Sequence, residues 1–456
     1  MEQIIKDLFP MNRCLLGEGY DNSLEYLKHL LPLDIISIPS GTKLETWTVP
    51  DEWIIKDAWI KYKGKKILDY KENPMCLTIG SAPFHGEVDL EELKKHLIVS
   101  DELPNEIPYS YRFYEKDWSF GIPKNVALKK KGNFWKKLGD ICDECKDYGD
   151  GKISVRINGI KTDATKFRDA LPKGKYEVMV DTEFRPGNLK IGVHTIKGQS
   201  DREILLLAHL DHPFQANDNL SGVACLVDIA NKLKCEHTVK IIFCPETIGS
   251  IAYAMTQDIS KVDFVISVDV CGNNNTILLQ KSFDNYNRLN RVAHCAMQSL
   301  GRPYRKGSFR NVIGSDEYVF NDPKIGIPGL LLTRFPYKEY HTTADTPETI
   351  NYDMIKETQD VILKIIEIYE KDYMPFRAFK APLMRSKFGI QSFNQQINLN
   401  YDYLIYHIDG EKYLSELCSE LEFSFDMIYE VFEKLKKSGV IACVRDTSER
   451  EIYKTP

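Results

Sequence analysis

His209, Asp211, His212 and Asp218 fall within ten residues, in the stretch Ala208-His-Leu-Asp-His-Pro-Phe-Gln-Ala-Asn-Asp-Asn-Leu-Ser-Gly. Imidazoles and carboxylates gathered this closely are metal-ligand types. A ligating imidazole usually donates its second ring N–H to a carboxylate, which fixes its tautomer. Asp211, two residues after His209 and on the same side of an extended chain, is placed to accept that proton. Asp218 is placed to hold one metal or to bridge two. Three later positions repeat the logic. Glu246 follows the apolar run Val239–Cys244, Asp269 closes the run from Phe264, and His341 follows Leu330–Thr333 through a short loop, with Asp345 four residues on. A lone Asp or His after a strand is ordinarily a cap or a turn residue. A succession of apolar runs that each end on His, Asp or Glu is a different pattern, one that marks a functional site.

The elements that must hold these residues are legible. Ile204-Leu-Leu-Leu-Ala is continuously apolar, as expected of a strand covered on both faces. Strand patterns at Tyr176, Leu189, Ile204, Val239, Phe264 and Gly329 alternate with helical patterns over Gly222–Leu233, Leu289–Leu300 and Asp353–Tyr369. The expected fold is α/β: a mostly parallel mixed sheet with helices on both faces. Open sheets of this kind bind ligands at the carboxyl ends of their strands. Neighbouring strand tips lie about 5 Å apart, so the four ends converge on one small volume.

The flanking regions differ in character. Residues 1–40 read as helical, and 44–165 as strand-rich and aromatic, with Trp53-Ile-Ile-Lys-Asp-Ala-Trp-Ile alternating. Helix, turn, helix and two short strands from Leu414 onward form a winged-helix pattern. The division expected is an α/β domain over 1–45 and 166–375, a β-rich insert over 46–165 and a winged-helix domain over 376–456. The Lys129-Lys-Lys-Gly run reads as a solvated loop, and the single CxxC at Cys142–Cys145 as two cysteines on one helix face.

Composition narrows the partners. Of 456 residues, 43% are hydrophobic and 28% charged, the balance of a globular protein. Sixty Lys and Arg against sixty-six Asp and Glu give a net charge of −6, which argues against nucleic acid or an anionic membrane as the main partner. Residues 401–456 carry seven Lys and Arg against twelve Asp and Glu, so the winged helix is not expected to bind DNA. Packing or self-association, through this domain or the insert, is the expected use. No signal-peptide pattern opens the chain and no apolar run approaches bilayer length. The eleven scattered cysteines fit a reducing, cytoplasmic compartment.

Taken in order, His-x-Asp, Asn-Asp-Asn-x-Ser-Gly, Glu followed by Gly-Ser, Asp-x-x-Gly and His-Thr-x-x-Asp-Thr resemble the M28 zinc aminopeptidase family over about residues 174–370. The whole layout resembles, more closely, the DUF4910 aminopeptidase-like proteins, with a DUF2172 module inside the peptidase region and a C-terminal winged helix. His212-Pro213, the Ala-Asn-Asp-Asn-x-Ser-Gly beyond it, and Thr247-Ile-Gly-Ser-Ile-Ala carry that closer likeness.

The resemblance implies one or two zinc ions. His209, Asp218 and Asp269 would hold one, Asp218 and His341 a second, and Glu246 would be the base that deprotonates the metal-bound water. The family pattern has a second, metal-ligating carboxylate directly after the base, but position 247 is Thr. His212 and Glu317 are therefore additional candidate ligands. Asp316 is a candidate group for a substrate amine. The expected activity is hydrolysis of a peptide or amide C–N bond. The alternatives are a deacylase or amidohydrolase acting on a modified sugar or small amide, and a non-catalytic binding protein that keeps the peptidase scaffold.

Overall fold

A computed structural model describes residues 1–124, 171–377, 379–391, 394–408 and 410–444, with the backbone of short strands at Glu144–Asp147, Ile153–Ile157 and Ile160–Asp163. The Lys129 run and Cys142 lie outside the described residues.

Eight strands form the central sheet: β1 (Asp34–Pro39), β2 (Asn188–Ile196), β3 (Glu203–His209), β4 (Thr238–Cys244), β5 (Val262–Asp269), β6 (Leu278–Gln280), β7 (Arg305–Gly307) and β8 (Gly329–Thr333). Their spatial order is β1-β2-β4-β3-β5-β8-β6-β7. The four middle strands, β4, β3, β5 and β8, run parallel. Antiparallel pairs at β1–β2, β2–β4 and β8–β6 make the sheet mixed. Alternate residues of β3 enter opposite cores: Ile204, Leu206 and Ala208 pack on one face, Leu205 and Leu207 on the other. Burial on both faces is what its unbroken apolar run requires.

Two readings of the sequence are corrected. Residues 34–39 are an edge strand, not helix. Ile35, Ile36 and Ile38 are β-branched and suit a pleated edge once the helix Glu18–Leu30 has ended. Lys175–Arg185, expected in the α/β core, pairs instead with Glu52–Tyr62 and Phe84–Asp89 in a separate four-stranded antiparallel sheet. That sheet has its own core, which includes Ile60, Tyr62, Trp118, Phe120, Tyr176 and Val178.

After the long helix Tyr352–Lys371, helices Leu414–Leu421 and Phe425–Lys437 precede strand Ile441–Val444. This strand pairs antiparallel with Met374–Arg377, and the second strand of the expected wing lies outside the described residues. The region is docked firmly. Asp372 accepts from the backbone and hydroxyl of Ser415 (2.9 Å each) and from Arg288 Nε (2.9 Å). The Arg288 guanidinium also lies over the rings of Tyr369 and Tyr413, 4.1 and 4.5 Å from their centroids. Phe425, Ile428, Val431, Phe432 and Leu435 all join the main core, so this helix spends its apolar face on packing. No helix among the described residues is long and apolar enough to cross a membrane.

Candidate metal centre

His209 is the last residue of β3 and Asp269 the last of β5, the strand beside it. Asp218 precedes the helix Leu220–Ala230, whose N-cap is Asn219; the Asn219 side chain accepts from Gly222 N–H (3.1 Å) and donates to Val268 O (2.7 Å). Gly222 is required there: a Cβ would sit 2.4 Å from Asn219 Oδ1 and 2.5 Å from Val268 O. The Asp345 carboxylate accepts from the backbone N–H groups of Asn217 (2.7 Å) and Asp218 (3.1 Å) and from the Tyr337 hydroxyl (2.8 Å). Asp218 is thus aimed by the helix cap on one side and by Asp345 on the other.

Around Asp218 the predicted residues converge. Asp218 Oδ1 lies 2.9 Å from His209 Nε2 and 3.0 Å from His212 Nδ1, and Oδ2 lies 2.9 Å from His341 Nε2. His209 Nε2 is 3.8 Å from Asp269 Oδ1. Three groupings have ligand atoms all within 4.8 Å of one another: His209–Asp218–Asp269, His212–Asp218–His341 and His209–His212–Glu246. Glu246 Oε2 lies 3.4 Å from His212 Nε2. The cluster opens to solvent through Glu246 and His341, whose side chains are 28% and 24% exposed, whereas His209, His212, Asp218 and Asp269 are buried.

The remaining candidates stand elsewhere. Asp211 Oδ1 accepts from Glu246 N–H (2.8 Å), so it braces the segment carrying Glu246 instead of orienting His209. The carboxylate behind His209 is Asp316, whose Oδ2 lies 3.7 Å from His209 Nδ1. Asp316 Oδ1 accepts from Thr247 N–H (2.8 Å) and the Ser250 hydroxyl (2.6 Å), and the residue has no solvent exposure. It is therefore not positioned to meet a substrate amine. Glu317 belongs to none of the three groupings. Its Oε1 accepts from Gln280 Nε2 (3.1 Å), and burial pushes its carboxyl up to about 8.

The electrostatics call for a cation. Burial, with the neighbouring charges of Asp218 and Glu246, pushes Asp269 up to about 8 despite the pull of His209. Burial alone would lower His209 and His212, yet the surrounding carboxylates hold both well above the ordinary histidine range. Asp269 Oδ1 and His341 Nε2 are buried without a hydrogen-bond partner. For His341 this holds although Asp218 Oδ2 lies 2.9 Å away. Each grouping gathers imidazole and carboxylate atoms within 4.8 Å of one another and includes one such unpartnered atom, Asp269 Oδ1 in the first and His341 Nε2 in the second; these donor types fit a divalent zinc-type ion, which would replace the protons.

Other contributors carry no spacing signal in the sequence. Tyr109, from the insert, has its ring 5.0 Å from that of His212 and 4.9 Å from that of His341, and its N–H donates to His341 O (2.8 Å). Ile107 and Thr343 exchange hydrogen bonds beside it: Ile107 N–H to Thr343 Oγ1 and Thr343 N–H to Ile107 O, each 3.0 Å. The insert thereby holds the His341 loop. A cavity of about 640 Å³ between the N-terminal segment and the insert, lined by Trp53, Phe113, Tyr114 and Phe184, includes none of the clustered residues.

The fold that carries this cluster is that of the zinc aminopeptidases. The structure of BSAP, a zinc aminopeptidase from Bacillus subtilis, superposes with a TM-score of 0.55 at 14% identity, over 80% of this chain and 92% of that one. A peptidase M28 precursor from Shewanella amazonensis gives 0.51 at 13% identity, over 80% and 92%. The crystal structure of a "putative peptidase" from Clostridium acetobutylicum matches 97% of this chain and 96% of its own, with a TM-score of 0.77 and 26% identity. The chain belongs to the DUF4910 family, a domain of unknown function whose model matches residues 2–372. A Clostridium acetobutylicum relative, "Putative polysaccharide biosynthesis protein with aminopeptidase-like domain", is 30% identical over 382 residues, 81% of this chain and 77% of its own.

Proposed function

We propose that the protein is a metal-dependent hydrolase of an amide or peptide C–N bond with two metal positions that share Asp218. The observation that carries this reading is the set of overlapping groupings around Asp218, with unpaired acceptor atoms on Asp269 and His341. Position one is His209, Asp218 and Asp269; position two is His212, Asp218 and His341. His212 takes the place left by Thr247. When bound, zinc polarises a carbonyl and brings the pKa of water to about 7. Glu246 is the general base: its carboxylate reaches solvent beside both positions, takes a proton from the attacking water and passes it to the leaving nitrogen. In the metal-free protein the protonated rings of His209 and His212 hold the Glu246 carboxyl below its ordinary range despite burial. Asp316, whose Oδ2 lies 3.7 Å behind His209 Nδ1, is placed to draw that ring N–H toward it when His209 is a ligand.

A second reading concerns the substrate. Asp211, Asp218, Asp269 and Asp316 are all buried, which leaves Glu246 as the clustered carboxylate that reaches solvent. A free α-ammonium group has no second carboxylate in the cluster to meet. This favours an N-acyl amide, such as an acylated amino sugar, over a peptide N-terminus. The polysaccharide-biosynthesis description of the relative points the same way.

The test is a screen of aminoacyl and N-acyl amides on zinc-reconstituted protein, wild type beside Glu246→Gln. The expected result is turnover by the wild type, greater on N-acyl amides, and a rate about 10²- to 10⁴-fold lower in Glu246→Gln with metal content unchanged. Equal rates in the two proteins would remove Glu246 as the base. No turnover of either class by metal-loaded protein would favour the non-catalytic scaffold.

A further inference from the structure

We propose that Arg13 is a positioning residue for the second metal position, acting through His212. The inference rests on the two-position reading above. Arg13 lies between the helices Glu2–Leu8 and Glu18–Leu30 and has no solvent exposure. Its guanidinium is a planar fork of five N–H donors. Nε donates to Leu210 O (2.9 Å), Nη2 to His212 O (2.6 Å) and Gln215 O (3.0 Å), and Nη1 to Leu8 O. Three of these four acceptors belong to the single loop Leu210–Gln215, and one of them is the carbonyl of His212 itself.

That loop does not take its shape by default. His212 and Phe214 both adopt left-handed backbone conformations, with φ of 74° and 60°. Neither is glycine, so the neighbours must impose the conformation. Arg13 converts the loop's inward-facing carbonyls into charge-assisted hydrogen bonds. From the other side, Phe214 packs against the insert's core and Gln215 Nε2 donates to Thr342 O (3.2 Å), next to His341. The turn so held aims the His212 ring at Asp218. If it relaxed to ordinary φ, the ring would leave Asp218 Oδ1 and Glu246 Oε2.

Position one meets this clasp only at the Leu210 carbonyl, one residue beyond His209. His209 and Asp269 end paired strands, and Asp218 is aimed by Asp345. A change at Arg13 should therefore act on one metal and spare the other. A merely structural staple would weaken both together.

The experiment titrates metal-free, full-length protein with Zn²⁺ by calorimetry and with Co²⁺ by visible absorption, for wild type, Arg13→Ala and Arg13→Lys. Arg13→Lys keeps the charge but not the fork, and is the milder variant should Arg13→Ala fail to fold. The expected result is that the first equivalent binds within about twofold of wild type, while the second is weakened about 10- to 100-fold in both variants. Millimolar guanidinium should restore part of the second affinity in Arg13→Ala. A second equivalent as tight as in wild type, or equal weakening of both, would overturn the role. Wild-type protein that binds no metal would overturn the two-position reading itself, and this inference with it.

Discussion

Position one takes His209 and Asp269 from the ends of two neighbouring parallel strands and shares Asp218, which precedes a helix, with position two. Position two takes His212 and His341 from two loops, and both of these histidines have positive φ. Side chains at the end of a hydrogen-bonded ladder inherit their placement from the sheet. Side chains on loops must be placed by whatever packs against the loop. In this chain that task falls to parts far away in sequence: Arg13 on the His212 loop, and residues Ile107 and Tyr109 of the insert on the His341 loop. Residues 107 and 109 thus brace the loop that carries His341, a ligand of the proposed second position. Thr247 belongs to the same contrast. Its side chain is no metal ligand, and its N–H donates to Asp316, which stands behind His209 of position one.

Three variants probe the contrast, from the largest expected effect to the smallest. Asp218→Asn removes the carboxylate common to both positions and should abolish metal retention and activity together, as read by elemental analysis; retention of one tight ion would break the shared-ligand account. Asp316→Asn removes the charge behind His209. It should weaken position one about 10- to 100-fold and leave position two unchanged, as read by two-step metal titration. Equal weakening of the two would show that they are not held separately. Tyr109→Ala removes a ring packed on His212 and His341 without removing a ligand. It should weaken position two by less than about tenfold and leave position one alone. A loss at position one instead would mean that the insert acts through the core.

The residues of both positions are legible in the sequence as candidate ligands; what it leaves open is whether His212 or Glu317 stands with Asp218 and His341. The unbroken apolar runs announce strands buried on both faces, and His209, Glu246 and Asp269 stand at or just beyond the ends of those runs. His212 reads as an additional candidate ligand beside Glu317, and the choice between them depends on loop geometry that no period encodes. Arg13 acts on backbone carbonyls, which leave no trace in side-chain spacing. Asp316 was visible as an acid near the site, but its burial behind His209 was not, so a positioning group read as a substrate group. The sequence marks Lys175–Arg185 as a strand but does not say which sheet it joins. Its partner Glu52–Tyr62 lies far earlier in the chain, and pairing over that separation is a property of the fold.

The central claim is that His212 completes a second metal position where the family's usual carboxylate is Thr247. Elemental analysis of zinc-reconstituted wild type beside His212→Ala tests it most directly. The account predicts about two zinc ions per chain in the wild type and about one in His212→Ala, held by His209, Asp218 and Asp269. The same zinc content in both proteins would contradict it.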